Sequence, residues 1–199
     1  MIGIIDLKCC NIGSIKSICE EFGQEYKIIS SPDHFSGVSK IILPGVGSFD
    51  SAMSAIKTLN LEMKIREHAS NNMPILGICL GMQILCKQSE EGDLKGLGLI
   101  DAVVRKFKKS SDYKVPHMGW NSVKVINKNN LFDSEQNRFY FVHSYYVEPL
   151  DKKIIAGITS YTKNFCSFLN KGNIYGVQFH PEKSHKFGMQ LFKNFFQSC

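Results

Sequence analysis

The sequence predicts an α/β protein with three layers (α/β/α), a mainly parallel central sheet and a smaller antiparallel sheet in the second half. Over residues 1–86, short apolar runs alternate with helix-like segments, which is typical of a parallel sheet covered on both faces. Over residues 115–179, strand-like runs follow one another with turns between them, which indicates antiparallel or mixed pairing. Because 199 residues fit one domain, we expect a single domain over residues 1–199.

The first half alternates between two hydrophobic patterns. Apolar runs predict strands at residues 2–7, 26–30, 40–43 and 74–78. Apolar residues at helical spacing predict helices at residues 12–22, 49–56 and 80–86. Gly23 follows the first of these helices, and glycine commonly ends a helix.

The second half consists mostly of strand-like runs. They predict strands at residues 115–126, 139–147, 154–161, 166–169 and 174–179. A final helix at residues 187–196 carries its aromatic residues and a leucine on one broad face, which is expected to pack on the sheet.

Composition excludes several classes of protein. Hydrophobic residues make up 43% and charged residues 21%, as in ordinary globular proteins, and no run approaches the ~20 apolar residues of a membrane-spanning helix. The N-terminal segment lacks a basic leader, so it is expected to be a strand and not a signal peptide. Seven cysteines without CxxC spacing argue against a disulfide framework and a zinc site. We therefore expect a cytoplasmic protein with reduced thiols and no metal.

The formal net charge is +6, and the densest basic run, RKFKK, lies at residues 105–109. No recognised nucleic-acid motif accompanies this run, so a solvated strand-to-loop segment is favoured over a nucleic-acid patch. A basic surface that faces an acidic partner remains an alternative. We expect neither nucleic acid nor membrane as a partner.

A candidate nucleophile lies between a predicted strand and a predicted helix, in the segment GICLGMQ at residues 77–83. Glycines two residues before and after Cys79 give the pattern of a nucleophile elbow, with Cys in place of Ser. Such a turn is sharp, and a side chain at Gly77 or Gly81 would crowd it. The sulfur would lie at the carboxyl end of the sheet and at a helix N-terminus, which favours the thiolate. An isolated cysteine would more simply fill a strand–helix junction, but the paired glycines favour a nucleophile.

Among the six histidines, His180 is the best candidate for the base that a cysteine nucleophile needs. It ends an apolar strand and precedes Pro181, so it is expected to be extended. Residues two apart in an extended chain point to the same side, so Glu182 can hold the imidazole and favour its protonated form. Taken alone, this stretch is equally a turn with a surface acid. Together with the elbow it predicts a triad of Cys79, His180 and Glu182.

Thioester chemistry also needs donors for the developing oxyanion. The backbone N–H of Leu80 is one candidate, because the residue after an elbow nucleophile points its amide there. A second donor is expected from Gly45, Val46 and Gly47, which end the neighbouring strand and whose glycines permit close backbone approach. A plain glycine turn is the alternative at that loop.

The elbow, together with HPE at residues 180–182, resembles the class I (triad) glutamine amidotransferases. Further segments extend the resemblance over nearly the whole chain: LPGVGSF at residues 43–49, VPHMGWN at 115–121, HSYY at 143–146 and QFHPEKS at 178–184. These segments are similar to the glutaminase subunits of imidazole glycerol phosphate synthases of histidine biosynthesis. The stretch PHMGWN distinguishes those subunits from the anthranilate, carbamoyl phosphate, GMP and CTP synthetase glutaminases.

The resemblance implies hydrolysis of L-glutamine to glutamate and ammonia without a cofactor. It assigns Gln83 and Glu91 to substrate binding and the backbone around Ser144 and Tyr145 to the pocket lining. The ammonia would pass to a separate (βα)8-barrel cyclase subunit for imidazole ring formation. Positions at or near the interface with that subunit are matched by Asn11, His117, Met118, Trp120, Asn121 and Lys183. For Trp120, ordinary core packing is an equal alternative.

One segment departs from the family pattern. After the first strand, the family usually has a Tyr-Gly-x-Gly-Asn turn, whereas residues 7–11 here read LKCCN. Lysine and cysteine tolerate a left-handed backbone poorly, so we expect this loop to take another shape. A redox or metal role for Cys9 and Cys10 is disfavoured, since no other cysteine has ligand spacing. The departure leaves open a second function, the supply of ammonia for amidation of a surface-polysaccharide sugar. A third hypothesis, an idle binding subunit, is disfavoured by the intact triad.

Overall fold

A computed structural model describes residues 1–8, 12–109, 111, 113–127, 129–132 and 136–199 of the chain. The strands are β1 (Ile2–Ile5), β2 (Tyr26–Ile29), β3 (Lys40–Gly45), β4 (Ile75–Cys79), β5 (Gln88–Ser89), β6 (Ala102–Lys106), β7 (His117–Val125), β8 (Gln136–His143), β9 (Tyr145–Pro149), β10 (Ile155–Ser160), β11 (Asn164–Lys171) and β12 (Ile174–Val177). The α-helices are α1 (Gly13–Glu21), α2 (Phe49–Thr58), α3 (Glu62–Ser70), α4 (Leu80–Ile84) and α5 (His185–Ser198). Short 3-10 turns cover Pro32–Phe35, Lys152–Ile154 and Pro181–Lys183.

The strands form one mixed sheet whose main path runs β2-β1-β3-β4-β12-β11-β10-β7-β8. The first five strands of this path are parallel to their neighbours, and the antiparallel part begins where β12 pairs with β11. Strand β9 pairs with both β11 and β6, and so joins the short strands β5 and β6 to the sheet. The predicted α/β fold is confirmed, and its antiparallel part is continuous with the parallel part.

Two apolar clusters lie on opposite faces of the sheet. Because successive strand residues point to opposite faces, Ile41 joins the cluster beneath α2, α3 and α4, whereas Ile42 joins the cluster beneath α1 and α5. Ile75 and Leu76 in β4 divide in the same way. A strand covered on both faces needs no polar alternation, which is why β1, β4 and β12 are buried throughout.

Three parts of the fold differ from the sequence pattern. The pattern does not predict α3, since that helix buries only Ile65 and His68 and its apolar stripe is short. It does not predict β5 and β6 either. The single strand predicted over residues 139–147 is divided at Ser144 into β8 and β9, which pair with different neighbours. Among the described residues, no helix is long and apolar enough to cross a membrane.

The prediction that residues 7–11 take a different shape from the family's turn falls mostly outside the described residues, but Lys8 itself has a left-handed backbone, with φ 62°. Asp6 stabilises this conformation, because its carboxylate accepts hydrogen bonds from the Lys8 backbone N–H at 2.9 Å and from Lys8 Nζ at 2.8 Å. Cys9, Cys10 and the predicted interface residue Asn11 lie outside the described residues.

Candidate active site

Cys79 lies at the junction of β4 and α4 with φ 53° and ψ −110°, a conformation that costs a non-glycine residue about 1–3 kcal/mol. The flanking glycines make this turn possible. A Cβ on Gly81 would overlap the carbonyl oxygen of Leu43 in β3, and a Cβ on Gly77 would lie 2.8 Å from the carbonyl oxygen of Gly81. The local sequence therefore allows β3, β4 and α4 to approach closely enough to form the predicted elbow.

His180 follows β12, beside Cys79 at the same edge of the sheet, and is 1% exposed. Its backbone is extended, as predicted, and its N–H donates to the carbonyl of Tyr140 at 2.8 Å. The Ser184 hydroxyl donates to the His180 carbonyl at 2.6 Å and accepts from the Tyr140 N–H at 3.0 Å, which fixes the loop. Glu182 Oε1 accepts from His180 Nδ1 at 2.7 Å, so the ring presents Nε2 on its other side.

The surroundings of His180 favour the imidazolium form. Burial acts to lower its pKa, but interactions with Cys79 and with the Glu182 carboxylate outweigh burial and raise the pKa to about 10. Nε2 is buried and has no hydrogen-bond partner among the described residues. This ring can therefore carry a proton at neutral pH and hold it beside the sulfur.

A cavity of about 410 Å³ opens over Cys79 and His180. Its walls include Val46, Gly47, Cys79, Leu80, Gln83, Glu91, Pro116, Val142, His143, Ser144, Tyr145 and His180. The structure thus brings together the predicted substrate-site residues, except that Gly45 lies behind the elbow. A Cβ on Gly45 would be 2.7 Å from Leu80 Cβ, so this glycine permits the contact between β3 and the elbow.

A chain of buried amides leads from the nucleophile into the cavity wall. Gln178 Nε2 donates to Cys79 Sγ at 3.7 Å, and Gln178 Oε1 accepts from Gln83 Nε2 at 3.1 Å. Gln83 Nε2 also donates to the carbonyl of Tyr145 at 3.2 Å. Gln178 is absent from the predicted site, although its spacing of two from His180 on an extended chain could have indicated it.

Glu91 lines the cavity and also fixes a helix end. Its Oε2 accepts from the backbone N–H of Phe49 at 2.9 Å, at the start of α2. Free amides at a helix N-terminus favour a negative charge, so this contact holds the carboxylate in place. Because the contact fixes Oε2, the other carboxylate oxygen, Oε1, is held in place as well, as a residue that contacts the substrate requires.

The predicted partner residues lie on and behind the exposed face of β7. Met118 is 61% and Trp120 40% exposed, and the Trp120 ring stacks on His185 at 5.4 Å, so core packing does not explain this tryptophan. His117 is 3% exposed and points inward, as does Asn121. Lys183 is exposed in the turn that follows His180.

The chain matches one known family over nearly its whole length. The model of the family "Glutamine amidotransferase class-I" matches residues 5–199. A relative from Methanococcus maripaludis, "Imidazole glycerol phosphate synthase subunit HisH 2", is 53% identical, with 100% of both chains covered. A relative with the same name from Pseudomonas aeruginosa is 43% identical, with 98% of both chains covered.

A crystal structure of a glutamine amidotransferase has the same fold, with a TM-score of 0.78 at 17% identity; 98% of this chain and 97% of that chain are covered. At this identity the likeness concerns the fold alone. The family model, which spans nearly all of the sequence, carries the assignment. The chain belongs to the class I glutamine amidotransferases, a family of enzymes.

Proposed function

We propose that this protein is the glutaminase subunit of an imidazole glycerol phosphate synthase, with Cys79, His180 and Glu182 as its triad. One observation carries the proposal: a strained cysteine at a strand–helix elbow shares a cavity of about 410 Å³ with a buried, protonatable histidine held by a carboxylate. Relatives that match the whole chain bear the name of that subunit. The five cysteines that the structure describes are free thiols, which agrees with a cytoplasmic location.

In the first half-reaction, Cys79 attacks the side-chain amide carbon of glutamine as the thiolate, with the thiol proton held on His180, and a carbon–sulfur bond forms. The N–H of Leu80 and the peptide around Val46 would stabilise the oxyanion. His180 Nε2 then gives its proton to the amide nitrogen, the carbon–nitrogen bond breaks, and ammonia leaves a thioester. A pKa of His180 raised to about 10 suits this role, because the ring is then protonated at neutral pH.

In the second half-reaction, the now neutral His180 takes a proton from water as the water oxygen attacks the thioester carbon. The carbon–sulfur bond breaks, glutamate leaves, and the proton returns the site to its starting state. Gln83 and Glu91 hold the substrate, and Glu182 holds the imidazole through both steps. The ammonia passes to a (βα)8-barrel cyclase subunit bound over Met118, Trp120 and Lys183.

The test is glutamate release from glutamine, first by the purified chain and then with a cognate cyclase subunit and its ribulosyl ligand. Strong stimulation by the partner supports the proposal. Cys79→Ala should abolish synthesis from glutamine and leave synthesis from ammonium salts intact, because the acceptor site is in the other subunit. Loss of both activities would instead make Cys79 a structural residue.

A second candidate keeps the chemistry and changes the acceptor to a surface-polysaccharide sugar. The departure of residues 7–11 from the family's Tyr-Gly-x-Gly-Asn pattern favours this candidate. This candidate would be supported if the cyclase subunit did not stimulate glutamate release and a sugar amidotransferase did.

A further inference from the structure

The imidazoles of two buried histidines are in contact: His117 belongs to strand β7, and His143 lines the cavity. His143 Nδ1 lies 2.7 Å from the carbonyl oxygen of Tyr145, and His143 Nε2 lies 2.9 Å from His117 Nδ1. His117 Nε2 lies 3.2 Å from Asn121 Nδ2. We propose that His143 and His117 form a positioning relay that holds the Tyr145 carbonyl, and through it Gln83, in place for glutamine. This inference rests on the proposed glutaminase function.

The direction of each hydrogen bond in the relay can be deduced from the Tyr145 carbonyl, which is the end of the relay at the cavity. The Tyr145 carbonyl can only accept, so His143 Nδ1 carries a hydrogen and donates. A neutral imidazole then has its lone pair on Nε2, which accepts from His117 Nδ1–H. His117 Nε2 is in turn the acceptor that faces Asn121. Both rings are thereby assigned the Nδ1–H tautomer.

The same assignment follows independently from the opposite end. Asn121 Oδ1 accepts from the Ser122 N–H at 2.8 Å, and Asn121 Nδ2 donates to the Ser160 carbonyl at 3.0 Å. These two bonds fix the amide orientation, so a donor faces His117 Nε2. That nitrogen is therefore unprotonated, and the relay runs in the direction deduced from Tyr145.

Packing keeps both rings neutral and fixed in orientation. The His117 ring is stacked against Phe141 at 4.8 Å and Tyr161 at 4.1 Å, and Phe107 and Phe165 contact His143. Burial is the main cause that lowers the pKa of His143 to about 3 and that of His117 to about 4. A proton added to either ring would place two N–H groups face to face.

The relay connects the surface to the substrate pocket. Strand β7 carries exposed Met118 and Trp120 on one side and the relay residues His117 and Asn121 on the other. The Tyr145 carbonyl accepts from both His143 and Gln83, so its position determines that of the Gln83 amide in the cavity. A shift of β7 would thus be transmitted to the glutamine pocket.

The tautomers can be measured directly by nitrogen-15 NMR of the histidine side chains in the full-length chain. We expect His143 and His117 as Nδ1–H tautomers. His68 provides an internal contrast: it is also buried, but its Nε2 lies 3.3 Å from the Pro74 carbonyl, so it should be the Nε2–H tautomer. Either relay histidine as Nε2–H, or charged at neutral pH, would overturn the assignment.

The function of the relay is tested by glutaminase kinetics of variants in the complex with the partner. His143→Leu should lower kcat/KM for glutamine about 10- to 100-fold, chiefly through KM, because the Gln83 support is displaced. His143→Asn keeps a donor near the Nδ1 position and should recover most of this loss. A structural role alone would not predict this recovery.

The matched control is His68→Leu, which removes a buried histidine bound to a backbone carbonyl far from the cavity. It should lower the midpoint of urea unfolding and leave KM unchanged. Wild-type kinetics in His143→Leu, with an active wild-type complex, would refute the relay and leave the glutaminase proposal intact. No glutamine hydrolysis by the wild-type complex would refute both.

Discussion

Replacement of Glu182 by glutamine tests how the protonation of His180 controls the reaction. In the native chain, Glu182 Oε1 accepts from His180 Nδ1 at 2.7 Å; the His180 side chain is buried and that of Glu182 is 11% exposed. In Glu182→Gln, an amide oxygen can still accept this hydrogen bond, so the ring keeps its orientation. The negative charge that favours the imidazolium is lost.

The expected effect is a downward shift of the alkaline limit of activity. A hydrogen bond to a charged group contributes about 1.5–3 kcal/mol, and one pKa unit corresponds to about 1.36 kcal/mol. The pKa of His180, raised to about 10 in the native chain, should therefore fall by about one to two pH units. His180 acts as the acid that releases ammonia, so the alkaline limb of the profile moves to lower pH by the same amount.

The same pKa has a consequence for stability. A histidine whose pKa is raised from 6.5 to about 10 stabilises the fold in full below about pH 6.5, and this contribution is lost as the pH rises through about 10. The difference in free energy of unfolding between the native chain and Glu182→Gln should therefore be largest in mild acid and small above pH 10.

The assay is glutamate release by the complex between pH 6 and about 11, together with the rate of Cys79 alkylation by iodoacetamide. Glu67→Gln is the control, because it removes a carboxylate from an exposed ion pair with Lys64 on α3. It should leave the profile unchanged. An alkaline limb at the same pH in Glu182→Gln and the native chain would refute the assignment of His180 as the acid.

Three further predictions concern neighbouring features. Gly81→Ala should cost about 1–3 kcal/mol in chemical denaturation, because its Cβ overlaps the Leu43 carbonyl, and should abolish activity; unchanged stability would contradict the close packing. Gln178→Leu should slow alkylation of Cys79 at neutral pH, since an N–H donor to the sulfur is lost; an unaltered rate would exclude that role. Trp120→Ala should weaken stimulation by the partner with a melting temperature near that of the native chain, and the reverse pattern would indicate a packing role.

Much of the site could be predicted from sequence because its constraints are local. A cysteine that follows an apolar strand and is flanked by Gly77 and Gly81 can adopt few backbone conformations. The observed φ of 53° at Cys79 belongs to the strained turn that the glycines imply. His180 precedes a proline, which restricts its backbone to the extended region that the structure has. Each of these inferences uses residues within four positions of one another.

Other features could not be predicted in this way. Lys8 adopts a left-handed backbone because the carboxylate of Asp6 accepts two hydrogen bonds from it, and propensity alone favours another shape. Helix α3 buries too few apolar residues to give a clear period, and the break at Ser144 depends on which strands lie beside β8 and β9. In these cases the determining contacts come from elsewhere in the chain or from an unusual local hydrogen bond.

The sequence by itself determined the alternation of strands and helices, the elbow at Cys79 and the extended backbone of His180, since each follows from neighbouring residues. Only the tertiary structure decided that Gln178 contacts the sulfur and that His143 and His117 connect β7 to the cavity. The physical reason is distance along the chain. His117 and His143 are separated by 26 positions and Cys79 and Gln178 by 99, so the pairing of strands in one sheet brings them together.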